Sequence, residues 1–140
     1  MKKLKIMLDD GAFMPTRAHA TDAGLDLYAT KDAVIFRDGS EKFDTGVHVE
    51  IPEGFVGFLK SKSGLNVNQG IQSAGVIDSG YTGSICVKLY NHGNTLVHIK
   101  RGQKISQLVI LPIVTPDVEL VDHLEETERG NGGFGSSGAF

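Results

Sequence analysis

The segment Gly75-Val76-Ile77-Asp78-Ser79-Gly80-Tyr81-Thr82-Gly83 joins two apolar runs and is rich in glycine. Apolar residues lead into it, and Ile85, Val87 and Leu89 alternate with other residues directly after it. Alternation of this kind is typical of half-buried strands. The segment therefore predicts two β-strands joined by a glycine-rich turn, which is a β-hairpin.

Similar β-rich patterns recur along most of the chain. The further β-rich runs are Leu4 to Leu8, Leu25 to Ala29, Ala33 to Phe36, Val47 to Ile51, Phe55 to Lys60, Thr95 to Ile99 and Ile105 to Val114. Turn signals such as Asp38-Gly39 and Lys100-Arg101-Gly102 separate neighbouring runs. Many short strands at this spacing predict an all-β fold, namely a jelly-roll-like β-barrel or sandwich. One short helix is expected, after Ser63-Gly64.

Length and composition restrict the class of protein. The chain has 140 residues, which suits a single domain, and its net charge of −3 gives no reason to expect nucleic-acid binding. No stretch is long and apolar enough for a signal peptide or a membrane span. Cys86 is the only cysteine, so an intrachain disulfide is excluded and the cytoplasm is the expected location.

The C-terminal residues differ from the rest. Residues 129–140 contain five glycines and two serines and have no apolar period. They predict a mobile arm that follows a domain spanning residues 1–128. Arg129, Phe134, Ser136 and Ser137 supply a cation, a ring and hydroxyls, which a flap closing over a nucleoside triphosphate would need. A disordered tail is the alternative.

Two polar segments next to apolar strands have the residue types that bind phosphate. Lys60-Ser61-Lys62-Ser63-Gly64-Leu65 combines ammonium groups, hydroxyls and, if a helix begins there, free backbone N–H groups. Gln107 lies within an apolar strand, where its amide needs a partner, and it could donate to a phosphate. Taken alone, these segments are also consistent with a solvated loop and with a glutamine bonded to backbone.

Two aspartates stand beside apolar strand residues. Asp26 lies between Leu25 and Leu27, and this segment alone favours an edge strand with Asp26 facing solvent. Asp78 directly follows Ile77, where a carboxylate could accept a proton from water as a general base. Taken alone, Asp78 is also a common turn-forming residue.

Together and in this order, these segments resemble the five motifs of the trimeric dUTPase family, over residues 20–138. The most specific are the Gly75 to Gly83 segment and the Arg-Gly-Asn-Gly-Gly-Phe-Gly-Ser-Ser-Gly arm at Arg129 to Gly138. The resemblance implies a jelly-roll-like subunit and a homotrimer with shared active sites, each closed by the arm of a neighbour. It implies hydrolysis of dUTP to dUMP and pyrophosphate, which lowers dUTP and supplies dUMP for thymidylate synthesis.

The resemblance also implies roles for single residues. Asp78 would orient and deprotonate the water that attacks the α-phosphate, and Tyr81 would pack under the deoxyribose and exclude a 2′-hydroxyl. Asp26 would be a charge partner that positions an arginine or lysine. The other implied substrate contacts are Lys62, Ser63, Gly64, Gln72, Val76, Ile77, Cys86, Gln107, Arg129, Phe134, Gly135, Ser136 and Ser137. Mg²⁺ is expected to be held by the substrate phosphates and water, without a cage of protein ligands.

The chain departs from the family pattern at two motifs. Lys62 stands where the family usually has arginine, and Gln103-Lys104 stands where it usually has Asp-Arg. Lysine keeps the charge but loses the planar fork that holds two oxygens. Three alternatives remain: a dCTP deaminase of the same fold, a dUTPase-like regulator that contacts a protein partner, and a jelly-roll binding module without catalysis.

Overall fold

The structure is a computed structural model that describes residues 3–140. Strands dominate, and the single helix among these residues is short. The elements are β1 (Lys5–Leu8), β2 (Gly24–Tyr28), β3 (Ala33–Ile35), β4 (Ser40–Asp44), β5 (Val47–Glu50), β6 (Phe55–Ser61), α1 (Ser63–Gln69), β7 (Ile71–Gln72), β8 (Ala74–Ile77), β9 (Cys86–Asn91), β10 (Val97–Ile99) and β11 (Lys104–Pro112).

The strands form small antiparallel sheets that surround one core. The largest sheet has the order β2-β11-β6-β8, and a three-stranded sheet has the order β4-β9-β7. Two-stranded sheets join β1 to β5 and β3 to β10. The all-β, jelly-roll-like prediction is confirmed. The sheets of residues 3–140 stay separate and close no barrel.

The core comes from the inward positions of the alternating strands. Ile85, Val87 and Leu89 are fully buried, as their spacing predicts. Phe43 in β4 is also fully buried, although that strand is missing from the sequence prediction. Phe43 stands alone among polar residues in Ser40–Asp44, so the segment has no apolar alternation to detect. Its strand exists because it pairs with β9.

The predicted hairpin is wrong in its pairing. β7 pairs with β9 at Gln72 and Tyr90, but the next strand, β8, pairs with β6 instead. Ser73 marks the divergence, because its N–H donates to Ser61 Oγ at 2.9 Å and its Oγ lies 2.7 Å from Ser106 Oγ. Both contacts hold the chain in the sheet of β6. The strands that flank the glycine-rich loop therefore belong to different sheets.

The segment after β11 is exposed. All recorded hydrogen bonds of residues 114–140 join residues within that segment, such as Arg129 Nε to the carbonyl of Gly132 at 2.5 Å. Val118 and Leu120 are almost fully exposed, at 98% and 97%. No helix in residues 3–140 has the length and apolar character needed to cross a membrane.

Candidate functional site

A buried carboxylate holds two lysines at one end of the largest sheet. Asp26 in β2 is only 3% exposed. Its Oδ1 lies 2.6 Å from Lys62 Nζ and its Oδ2 lies 3.0 Å from Lys104 Nζ. The solvent-facing position favoured by the segment alone is wrong, because the neighbouring ammonium groups provide the partners that a buried charge needs. We call Asp26, Lys62 and Lys104 the lysine cluster.

The lysine cluster brings together Lys62 and Lys104, one residue from each of the two motifs that depart from the family pattern. Burial acts to raise the pKa of Asp26, but hydrogen bonds and charge from Lys62 and Lys104 outweigh it and hold the pKa below its usual value. The hydrogen bond with Asp26 in turn raises the pKa of Lys104. The cluster therefore carries one more positive than negative charge at neutral pH. Gln103 is not part of it, and its Oε1 accepts from the N–H of Lys100 at 3.1 Å.

Gln107 lies beside the lysine cluster in the middle of the sheet. It pairs with Asp26 on one side and with Lys60 on the other. Its Nε2 donates to the carbonyl of Ser61 at 2.9 Å. Gly24 is needed for this placement, because a Cβ there would come 2.1 Å from Gln107 Oε1. The half-buried amide is thus held from two sides at the end of β6.

Helix α1 begins directly after β6, at the same end of the sheet. Lys62 precedes it in an extended conformation and makes no side-chain cap. Ser63 and Gly64 are exposed in the first turn, where backbone N–H groups have no partner within the helix. Ser63 and Gly64 therefore present donors next to the lysine cluster.

The glycine-rich loop, residues 78–85, follows β8 and lies at the end of the sheet opposite to the lysine cluster. Asp78 is exposed at the end of the strand, and its carbonyl accepts from the N–H of Tyr81 at 3.2 Å. Tyr81 donates its hydroxyl hydrogen to the carbonyl of Ser84 at 2.9 Å. The ring crosses Gly83, where a Cβ would lie 2.6 Å from the tyrosine oxygen. Glycine at 83 therefore lets the loop fold around Tyr81.

Several contacts from the end of β4 and from the turn before β5 hold this loop, and the sequence prediction missed them. Ser84 Oγ donates to a carboxylate oxygen of Asp44, and Gly46 N–H lies 3.0 Å from Ser84 Oγ. Thr45 Oγ1 donates to the carbonyl of Ile85 at 2.6 Å. The partners are far apart in sequence, so no local pattern could have indicated them. They fix the end of the loop where β9 begins.

A gap separates β8 from β9 next to the glycine-rich loop. No ladder of hydrogen bonds joins these strands in the described part of the chain. Val76 and Ile77 lie on the β8 side and Cys86 lies on the β9 side, and Gln72 is exposed where the strands begin to diverge. Backbone groups along both edges are thus available to a ligand. We call this space the β8–β9 gap.

The two groups of candidate residues lie at opposite ends of one sheet. Ile77 pairs with Gly57, so Asp78 lies near the start of β6. Ser63 follows the other end of β6. At about 3.3 Å per residue, roughly 13 Å of strand separates Gly57 from Ser61 alone. A single chain therefore does not bring Asp78 and Ser63 to the same phosphate group.

The arm residues stay apart from both groups. Arg129, Phe134, Gly135, Ser136 and Ser137 are all exposed. The hydrogen bonds recorded in the arm are turns within it, such as the N–H of Ser136 to the carbonyl of Gly133 at 2.7 Å. The structure thus brings together Asp26, Lys62, Ser63, Gly64 and Gln107, and separately Asp78, Tyr81 and the β8–β9 gap.

The fold places hydrogen-bond donors and two lysines at one end of a sheet and an exposed carboxylate loop at the other, an arrangement that suits a class of small all-β enzymes that act on nucleotides. The family model described as dUTPase matches residues 10–138. The deoxyuridine 5′-triphosphate nucleotidohydrolase of Saccharomyces cerevisiae is 43% identical over 140 residues, covering 98% of this chain and 95% of its own. The chain belongs to the dUTPase family.

Solved structures of phage dUTPases have the same fold. The dUTPase of Staphylococcus bacteriophage 80alpha with dUPNHPP superposes with a TM-score of 0.93 at 32% identity, covering 99% of this chain and 100% of that chain. A variant dUTPase from phage phi11 of S. aureus, described with a coordinated structural Mg(II) ion, has a TM-score of 0.80 at 31% identity and covers 89% of this chain and 99% of its own.

Proposed function

We propose that the chain hydrolyses dUTP to dUMP and pyrophosphate, with Mg²⁺, as a homotrimer whose active sites are shared between subunits. The reaction lowers dUTP and supplies dUMP. The observation that carries the proposal is the β8–β9 gap, which opens next to the loop that bears Asp78 and Tyr81. A cytoplasmic setting is part of the proposal, because Cys86 is the only cysteine and is free.

The β8–β9 gap suits a flat base with donors and acceptors on its edge. Main-chain groups near Val76, Ile77 and Cys86 would bond the uracil edge, as an added strand does. A gap bounded by two backbones leaves little room for the methyl group of thymine. Tyr81, held over Gly83 at the loop, would lie against the deoxyribose and exclude a 2′-hydroxyl.

Asp78 would act as the general base. Its exposed carboxylate accepts a proton from a water molecule, whose oxygen forms a bond to the α-phosphorus. The bond from that phosphorus to the bridging oxygen of the β-phosphate breaks, and pyrophosphate leaves with the bonding electrons. The proton then passes from Asp78 to solvent.

The phosphate chain would lie against the lysine-cluster end of a sheet. Ser63, Gly64 and Gln107 offer hydroxyl, backbone and amide donors, and the cluster adds a net positive charge. Residues 3–140 contain no group of three or more His, Cys, Asp or Glu that could hold a metal ion. This donor set fits Mg²⁺ held through substrate phosphates and water, where it would neutralise phosphate charge.

The length of β6 supports a shared site. Because Asp78 and Ser63 lie at opposite ends of that strand, a complete site would combine the Asp78 end of one subunit with the Ser63 end of another. The exposed arm, which forms no hydrogen bond with residues 3–126, would complete the site of a neighbour with Arg129, Phe134, Gly135, Ser136 and Ser137. In this proposal residues 1–128 form the domain and residues 129–140 the arm.

Subunit mixing tests the shared site. We expect Asp78→Asn to remove the base and Ser63→Glu to repel the triphosphate, so each variant alone is inactive. Glutamate suits the first turn of a helix, so the second variant should fold. Refolding an equal mixture should restore activity at about one quarter of the sites, which combine an intact Asp78 with an intact Ser63.

The control for subunit mixing is a double variant that carries both changes. Mixed with Asp78→Asn, it supplies no intact Asp78 and should stay inactive. If the mixture of single variants also stays inactive while mixed trimers are present by mass spectrometry, both groups act within one subunit and the shared site is excluded.

A substrate panel tests the activity itself. Pyrophosphate release should be rapid with dUTP and Mg²⁺ and slow with dCTP, dTTP and UTP, because the β8–β9 gap and Tyr81 select base and sugar. Ammonia release from dCTP would instead indicate a deaminase. Binding of dUTP without turnover would favour a regulator that uses nucleotide to control contact with a protein partner.

A further inference from the structure

A histidine outside the proposed active site holds the loop that bears Tyr81. His48 lies in the middle of β5, and its side chain is 18% exposed. Its Nδ1 lies 2.7 Å from the carbonyl oxygen of Thr82, and its Nε2 lies 3.0 Å from a carboxylate oxygen of Asp9. Thr82 is the residue after Tyr81 and Asp9 directly follows β1, so the ring bridges the loop and the β1–β5 pair.

Both partners of His48 are acceptors, which determines its charge. A neutral imidazole has one N–H and can donate to only one of them. Both hydrogen bonds form only when the ring is protonated. The neutral ring turns a lone pair toward one of the two oxygens, so one of the contacts is lost.

The charges around His48 favour the protonated ring. The carbonyl of Thr82, followed by the side chain of Asp9, raises the pKa of His48 above its usual value of about 6.5, although burial opposes the shift. Asp44 at the end of β4 adds a further negative charge. Lys5 and Glu50 line a surface cavity together with His48 and Thr82, but they pair with each other at 2.9 Å.

His48 completes the set of contacts around Tyr81. Asp44 and Thr45 hold the loop at Ser84 and Ile85, on the side where β9 begins. On the other side, at Thr82, the recorded side-chain hydrogen bond is that of His48. Without it, the segment from Asp78 to Thr82 keeps the turn bond from the N–H of Tyr81 to the carbonyl of Asp78 and the bond from the Tyr81 hydroxyl to the carbonyl of Ser84.

We infer that protonated His48 is a positioning residue that fixes Tyr81 against the deoxyribose and so sets the discrimination between dUTP and UTP. This inference rests on the proposed function. The bridge is complete at pH values below the pKa of His48 in the folded protein, and it loses one of its two hydrogen bonds as the pH rises through that pKa. Because the pKa of His48 is raised above its usual value of about 6.5, the loss occurs at a higher pH than it would for an ordinary histidine.

The test is the ratio of kcat/KM for dUTP to kcat/KM for UTP between pH 5.5 and 9, using the full chain with Mg²⁺. The ratio cancels the effects of pH on the chemical step and on the phosphates, which both substrates share. In the wild type it should fall about three- to tenfold as the pH rises. His48→Gln should give the low ratio at every pH.

Two further variants separate His48 from general effects. Asp9→Asn keeps an acceptor but removes the charge, so the fall should begin at a lower pH than in the wild type. His98→Gln changes an exposed histidine on β10 and should leave the wild-type profile unchanged. A ratio that is independent of pH in the wild type, or unaltered in His48→Gln, would overturn the inference while dUTP hydrolysis stands.

NMR gives a readout that does not depend on activity. The His48 ring should titrate above its usual range, and the ring signals of Tyr81 should shift with the same midpoint. Asp9→Asn should move both midpoints together to lower pH. If no protein in the series hydrolyses dUTP, the proposed function fails, and the Tyr81 signals alone decide whether His48 positions that ring. If the ring signals of Tyr81 do not shift with the titration of His48, the inference is contradicted.

Discussion

Replacing Asp78 with asparagine is expected to lower kcat for dUTP by about a hundred- to ten-thousandfold, the usual contribution of a general base. Asparagine keeps the size of the side chain but cannot accept the proton of the attacking water. Binding should persist, because the proposed function assigns the base, sugar and phosphate contacts to other residues. Single-turnover kinetics with dUTP and titration with dUPNHPP measure the two effects separately.

A matched control is Asp38→Asn, which makes the same chemical change in another exposed turn. Asp38 has a φ of 61°, a conformation that asparagine tolerates well, so this variant should fold and keep full activity. If Asp78→Asn hydrolyses dUTP at the wild-type rate, another group is the base. If Asp78→Asn no longer binds dUPNHPP, Asp78 contributes to binding, and its assignment as base alone is wrong.

Deleting residues 129–140 is expected to lower kcat/KM for dUTP on the order of a hundredfold or more, because the donors and the ring of the arm are lost together. The free energy of unfolding should change by less than about 0.5 kcal/mol, since these residues form no hydrogen bond with residues 3–126. Steady-state kinetics and thermal unfolding of the same samples measure both quantities.

A shorter deletion is the control for the arm. Removing only Ala139 and Phe140 leaves the segment from Arg129 to Gly138 intact and should preserve activity. Full activity after removal of residues 129–140 would exclude the flap. A large loss of stability would show instead that the arm is part of the folded domain.

Most of the fold could be predicted because most of its strands show an alternation of apolar residues in their own sequence. Where apolar residues alternate, as in Val47 to Ile51 and Ile85 to Leu89, the inward positions are buried as expected. β4 was missed because Phe43 alone points to the core. The pairing of the strands was harder to predict. Ser73 forms hydrogen bonds with Ser61 and Ser106, which direct the chain from β9 to β6, and the sequence before the loop does not reveal these partners.

The candidate site was predictable as a set of motifs but not as contacts. The pairing of Asp26 with Lys62 and Lys104 depends on three segments that lie far apart in sequence. His48 gave no local signal, because its partners are Asp9 and Thr82. A polar residue inside an apolar alternation shows only that a partner is required, and the fold determines which partner it finds.

The divergence of β8 from β9 at Ser73 has a consequence for how a base is read. Two facing strand edges display N–H and C=O groups in fixed order, so a ligand between them must present the complementary order at the same spacing. In the proposed complex the edge of the pyrimidine forms the hydrogen bonds that a strand between β8 and β9 would form. The base is then recognised by main-chain groups. Side-chain substitutions at Val76 or Cys86 would therefore barely alter base recognition. A change that allowed β8 and β9 to pair with each other would abolish base recognition.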